Sequence, residues 1–270
     1  MKTLAIADTK FHLVDQGSGP PLLFVHGFPL DHQMWLGQID ALADEYRVLA
    51  PDLRGFGESE SSLEVVSMER YADDLASILD ALEVDQPVSL CGLSMGGYVA
   101  WQFWKRHARK LDKLILCDTR AVADSTEAAL ARRELAKDVL AQGTSMLVEA
   151  MIPKLFSSKS RKKKPDIVEA TSAVIQKANR MGVAAALRGM ADRPDVTHWL
   201  RQIRVPTLVV CGEEDAISVV SEMGEIADQL PQATFTVVPD CGHMAPLEDP
   251  AFVNRAIRDF LREAQTETGS

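Results

Sequence analysis

The chain has 270 residues, 46% of them hydrophobic, which is enough to bury one substantial core or a core with an inserted cap. With 29 basic against 39 acidic residues the net charge is −10, which argues against nucleic acid and anionic membrane surfaces as partners. No apolar stretch is long enough to span a bilayer, and residues 1–10 carry no apolar run of signal-peptide length, so the expectation is a soluble cytoplasmic protein, monomeric or a small homo-oligomer.

In chain order, Thr3 to Ala7 and Lys10 to Asp15 are expected as an opening antiparallel pair, and Leu22 to Val25 as a buried strand. A helix should follow with Asp31 as its N-cap and Trp35, Ile39 and Leu42 on one face. Arg47 to Ala50 reads as a strand, and Tyr71, Leu75, Ile78, Leu79 and Leu82 as a helical stripe. Pro87 to Cys91 is the next strand, a helix carries Tyr98, Val99, Trp101 and Phe103, and Leu114 to Cys117 is again a strand. From about Asp124 to Met190 only helical patterning occurs. Alternation resumes with a strand at Thr207 to Cys211, a helix at Ser218 to Leu230, a strand at Thr234 to Val238 and a final helix striped by Phe252, Ala256, Ile257, Phe260 and Leu261. Gln265 to Ser270 reads as a frayed polar tail.

This alternation predicts an α/β fold with a largely parallel sheet. Residues 1–123 and 191–270 would form the core, and 124–190 a helical cap over the edge where such sheets bind ligands. The run Arg161-Lys162-Lys163-Lys164 beside Pro165 reads as a solvated loop. Cys91, Cys117, Cys211 and Cys241 fit neither a zinc nor a redox spacing, and suggest buried packing thiols in a reducing compartment.

The chemistry is concentrated at Gly92-Leu93-Ser94-Met95-Gly96-Gly97, a Gly-x-Ser-x-Gly turn between a strand and a helix. Such a turn lifts the serine hydroxyl above the sheet edge, and small residues two positions either side give it room. The turn alone is also compatible with an ordinary glycine-rich β–α connection. A serine nucleophile needs a base, and the base needs an orienting acid, in the chain order Ser, Asp or Glu, His. After the Thr207 strand stands Gly212-Glu213-Glu214-Asp215, and after the last strand Cys241-Gly242-His243. Asp215 could instead simply cap a helix and His243 be a surface-loop residue, but all three types occur in the required order after strands. Asp118 is the alternative acid. Met95 would give one oxyanion-hole amide, and Phe28, in His26-Gly27-Phe28-Pro29, the second. His26 is expected to hold that loop rather than act as a base.

With these residues in place the chain resembles the α/β-hydrolase superfamily along nearly its whole length. The resemblance rests on His26 to Pro29, Asp52 to Ser59, Gly92 to Gly97, Gly212 to Asp215 and Gly242-His243 in order. It implies a mostly parallel eight-stranded sheet with helices on both faces and a cap. It also implies a Ser94–Asp215–His243 triad with Phe28 and Met95 as oxyanion hole, and no metal or cofactor. The branch it looks most like holds small carboxylesterases, enol-lactonases of aromatic catabolism and perhydrolases. Serine at the nucleophile position argues against dehalogenase and epoxide hydrolase chemistry. The expected substrates are small to medium esters or lactones; C–C bond hydrolysis and a non-turning-over ligand receptor remain alternatives. A pocket is expected under the cap, with Trp35, Met151 and Phe156 as wall residues beside Met146, Met181 and Met190. An enol-lactone substrate would carry a carboxylate, for which Arg132, Arg133, Arg180 and Arg188 are cationic candidates.

Overall fold

A computed structural model describes residues 1–7 and 9–266. Eight strands form one sheet: β1 (Lys2–Ile6), β2 (Thr9–Gln16), β3 (Pro21–Val25), β4 (Arg47–Pro51), β5 (Val88–Leu93), β6 (Leu111–Cys117), β7 (Thr207–Gly212) and β8 (Ala233–Val238). Their spatial order is β1-β2-β4-β3-β5-β6-β7-β8. β1 and β2 pair antiparallel, as do β2 and β4, and every later pairing is parallel. β3, β5 and β7 are buried along their entire length. That is why they read as continuous apolar runs: a parallel strand covered by helices on both faces has no solvent side to make polar.

Helices α1 (Leu36–Leu42), α2 (Met68–Ala81) and α3 (Met95–His107) connect the first six strands, and α9 (Val220–Gln229), α10 (Ala245–Glu248) and α11 (Pro250–Thr266) accompany the last two. α2 packs against α3 and α1 against α11, so both sheet faces are covered. Between β6 and β7 run α4 (Thr126–Gln142), α5 (Met146–Leu155), α6 (Ser158–Lys163), α7 (Pro165–Lys177) and α8 (Arg180–Ala191), with no strand among the described residues. α8 lies directly on the segment after β4. The Val66 amide donates to the Ala185 carbonyl at 3.2 Å, and a Cβ at Gly182 or Gly189 would strike the carbonyls of Gly55 or Val66. Two glycines on one helix face therefore permit a backbone-to-backbone approach that any side chain would prevent.

The expected elements shift by a few residues at their ends. Asp31 caps a 3-10 turn at His32–Trp35, accepting from the Gln33 amide at 2.9 Å, and α1 itself begins only at Leu36. The basic run at 161–164 is not a loop: Arg161, Lys162 and Lys163 form the last turn of α6, where cations favour the helix dipole. The helix after Ser218 starts at Val220. Of the tail expected to fray, α11 includes residues as far as Thr266, and 267–270 lie outside the described residues. All four cysteines are buried and unbridged. No helix among the described residues is long and apolar enough to cross a membrane.

Candidate active site

Ser94 stands between β5 and α3 with φ +54° and ψ −111°, a backbone strained for a side-chain-bearing residue. Close packing enforces the turn. A Cβ on Gly92 would meet the Gly96 carbonyl, and one on Gly96 would meet the Val25 carbonyl of β3. The strand supports the turn from the other side, because the Ser94 amide donates to the Cys117 carbonyl at 3.0 Å and the Thr119 hydroxyl donates to the Ser94 carbonyl at 2.7 Å. Ser94 is half-buried, and its hydroxyl has no hydrogen-bond partner among the described residues.

The loops after β6, β7 and β8 bring Asp118, Asp215 and His243 to the same sheet edge, all three buried. His243 Nδ1 donates to Asp215 Oδ2 at 2.8 Å, and Asp215 Oδ1 accepts the Ile217 amide at 2.7 Å. These bonds fix the imidazole with Nδ1 protonated and leave Nε2 as the acceptor nitrogen. Asp118 sits behind the pair with one carboxyl oxygen on the Gly212 amide at 2.8 Å. Sequence offered Asp118 and Asp215 as alternatives; the contact to His243 belongs to Asp215.

The loop expected to supply an oxyanion donor follows β3. Gly27 lies against the nucleophile turn, where an added Cβ would fall 2.8 Å from a Leu93 methyl and 3.6 Å from Ser94 Cβ. Among the described residues neither the Phe28 nor the Met95 amide donates a hydrogen bond, so both remain free to bind an anion. Wholly buried His26 holds the loop: its Nδ1–H donates to the Gly27 carbonyl at 2.9 Å and its Nε2 accepts the Leu53 amide at 3.0 Å. Burial pushes its pKa down, consistent with a neutral ring in that role. Asp52 ties the next stretch, accepting the His32 amide and ring nitrogen at 2.9 and 2.7 Å and the Glu58 amide at 3.0 Å.

Two residues that nothing in the sequence singled out complete the frame. Thr119 anchors the serine turn, and Glu248 anchors the histidine loop. Glu248 is 1% exposed; its carboxylate accepts the Gly242 amide at 2.8 Å and the Ser157 amide at 3.0 Å, joining the histidine loop to the α5–α6 junction. A glutamate before Asp-Pro at a helix end has no sequence signature of such a role. Asp31, His32 and Asp52, like Asp118, Asp215 and His243, bring potential metal-ligand atoms within 4.8 Å of one another. In the first group all the carboxylate oxygens already accept protein hydrogen bonds, which does not favour an ion there.

Trp35 is fully buried against the Phe24 ring, 4.8 Å between centroids, and belongs to the hydrophobic core. Met151 is half-buried, and Phe156 is buried beside the Gly242 loop. None of the three lines the two cavities that flank the oxyanion loop. The larger, about 270 Å³, is bounded by Pro29, Leu30, Ala170 and Val174 and by the charged Asp31, Glu58 and Lys177, and neither cavity is lined by Ser94, Asp215 or His243. The smaller, about 130 Å³, adds Met34, Ile167, Thr171 and Leu247. α7 therefore supplies the helical side of these cavities. Of the methionines, Met181 is 51% exposed and Met190 is buried. Of the arginines, Arg132 pairs with Asp124, Arg133 with Asp192, and Arg188 with the Glu64 carbonyl, while Arg180 is exposed.

A strand-turn-serine elbow and a buried histidine–aspartate pair at the same sheet edge fit a hydrolase, and comparison with known proteins gives the family. Residues 20–250 match the alpha/beta hydrolase fold family, and the chain belongs to it. It is similar to a solved thermophilic esterase from Thermogutta terrifontis with malate bound, at 46% identity and a TM-score of 0.94, covering 97% of this chain and 96% of that one. It also resembles the enol-lactonase structure from Burkholderia xenovorans LB400, at 26% identity and a TM-score of 0.90 over 97% and 100% of the two chains. The 3-oxoadipate enol-lactonase 1 of Acinetobacter baylyi is 29% identical over 248 residues, 92% of this chain and 91% of that protein.

Proposed function

We propose that the protein is a serine hydrolase cleaving small to medium carboxylic esters through Ser94, His243 and Asp215. Ser94 Oγ attacks the ester carbonyl as its proton passes to His243 Nε2, and Asp215 stabilises the imidazolium. The negative charge that develops on the carbonyl oxygen rests on the Phe28 and Met95 amides. His243 then gives its proton to the leaving alkoxide, releasing the alcohol and an acyl-Ser94 ester. Water, deprotonated by the same histidine, attacks that ester, and the imidazolium returns the proton to Ser94 Oγ as the acid is released. The observation that carries the reading is the strained Ser94 turn sharing one sheet edge with the buried 2.8 Å His243–Asp215 pair. The similarity to an esterase at 46% identity supports it. Helices α4 to α8 are proposed as a cap, and the cavities between α7 and the oxyanion loop as the route for the substrate's organic group. A serine-reactive fluorophosphonate should add one adduct to the wild type by intact mass and none to Ser94→Ala; equal labelling of both would remove Ser94 from the reaction.

A second reading, lactone hydrolysis, has its own support in the enol-lactonase relatives, with exposed Lys177, which borders the larger cavity together with Asp31 and Glu58, as the cation that would receive a substrate carboxylate. Lys177→Ala would then raise KM for a carboxylate-bearing lactone and leave that for a neutral ester unchanged. An equal effect on both substrates, or none, would return the preference to simple esters.

A further inference from the structure

Asp118 is fully buried, yet only one of its carboxyl oxygens is satisfied. Oδ1 accepts the Gly212 amide at 2.8 Å, and Oδ2 has no hydrogen-bond partner. Its backbone stands at φ +47°, outside the ordinary range for a side-chain-bearing residue, held by its amide on the Val210 carbonyl at 2.9 Å. Its carboxyl oxygen, an Asp215 oxygen and a His243 ring nitrogen all lie within 4.8 Å of one another. Two ionised carboxylates at that spacing in a buried site repel strongly, and a proton between them removes the repulsion. Asp215 already receives two donors, Ile217 N–H and His243 Nδ1–H, whereas Asp118 receives one. Hydrogen bonds to the charged form favour it, so the proton belongs on Asp118. Burial first and the Asp215 carboxylate next push the Asp118 carboxyl well above the usual carboxylate range. The other titratable groups around it are His243 and the thiols of Cys117, Cys211 and Cys241; the pKa of each of the three thiols is raised.

From this geometry we infer that Asp118 is a neutral positioning acid: its Oδ2–H donates to the Asp215 carboxylate, fixing the group that orients His243 while adding no second negative charge. The inference rests on the triad reading above and gives Asp118 a role beside Asp215 rather than in its place. It acts through Asp215 and touches no substrate.

Asparagine reproduces a neutral acid here, with its carbonyl on Gly212 N–H and its amide donating to Asp215. Asp118→Asn should therefore keep kcat/KM on a p-nitrophenyl ester within about threefold of wild type and leave the acid limb of the pH–rate profile in place. Asp118→Ala removes the donor. Asp215 then becomes the stronger acceptor, and the acid limb should move to higher pH with kcat lowered more than KM is raised. Asp215→Asn should lose about 10⁴-fold in kcat. Infrared difference spectra at neutral pH provide a readout independent of turnover: wild type should show a carboxylic-acid carbonyl stretch that Asp118→Asn lacks. Absence of that band in the folded wild type, as two carboxylates bridged by a cation would also give, overturns the inference. So does an acid limb that moves to lower pH in Asp118→Asn, the sign of a lost negative charge. Should no ester be turned over by any variant, the triad reading fails, while the infrared band still decides where the proton sits.

Discussion

Gly96 and Ser94 show how much of the local geometry rests on single positions. The serine keeps φ +54° because Gly96 lets α3 start directly under the Val25 carbonyl. Gly96→Ala places a methyl against backbone oxygen, which cannot swing aside as a side chain could. The expected cost is about 3 kcal/mol of stability, read from a denaturant midpoint, with hydrolysis lost alongside. This position was fully legible in the sequence, since the spacing of small residues around a serine is itself the steric signature. Asp118 was legible only as a competitor for the acid role. Two aspartates after adjacent strands look alike in sequence, and what separates them is which one His243 Nδ1 reaches.

At the scale of elements, the site is held by connections that no local pattern encodes. Glu248 in α10 binds the amides of Gly242 and Ser157 across distant stretches of chain. Glu248→Ala leaves two buried N–H groups unpaired, at roughly 1–3 kcal/mol each, and should loosen the His243 loop, lowering both the melting temperature and kcat. A variant that loses stability but keeps full kcat would separate Glu248 from the histidine. The loop after β3 has a pH-dependent tie. Burial opposes charge on His32, but its hydrogen bond to Asp52 and that carboxylate's charge raise its pKa above 6.5. A raised folded-state pKa contributes stability that is fully present below 6.5 and is lost as pH rises through the raised value. The stability gap between wild type and His32→Gln should therefore be widest below 6.5 and close at alkaline pH, by urea denaturation at several pH values. A gap constant with pH would mean the ring contributes only as a neutral hydrogen-bond partner.

For the molecule as a whole, sequence was most informative where physics is periodic. The alternation of buried strands and striped helices, its interruption after β6 and its resumption at β7 all follow from which faces must be apolar. Sequence was weakest where segments far apart in the chain meet. Trp35, Met151 and Phe156 looked like pocket residues because large apolar side chains line pockets and cores alike. None of them borders the two cavities between α7 and residues 29–34, where small Ala170 lines both. Absence of bulk is a poor signal in a single sequence. Val174 borders both cavities, so Val174→Trp should cut kcat/KM for long-chain esters by about tenfold and leave acetate esters nearly unchanged. A uniform loss at every chain length would move the substrate route elsewhere.

Ser94, activated by the His243–Asp215 pair, is proposed to open carboxylic esters. Steady-state hydrolysis of p-nitrophenyl esters from acetate to decanoate, wild type beside Ser94→Ala, tests it most directly. The wild type should turn over with a chain-length optimum, and a folded Ser94→Ala should fall to background. Comparable turnover by the two proteins, or none by a folded wild type on any of these esters, would contradict it.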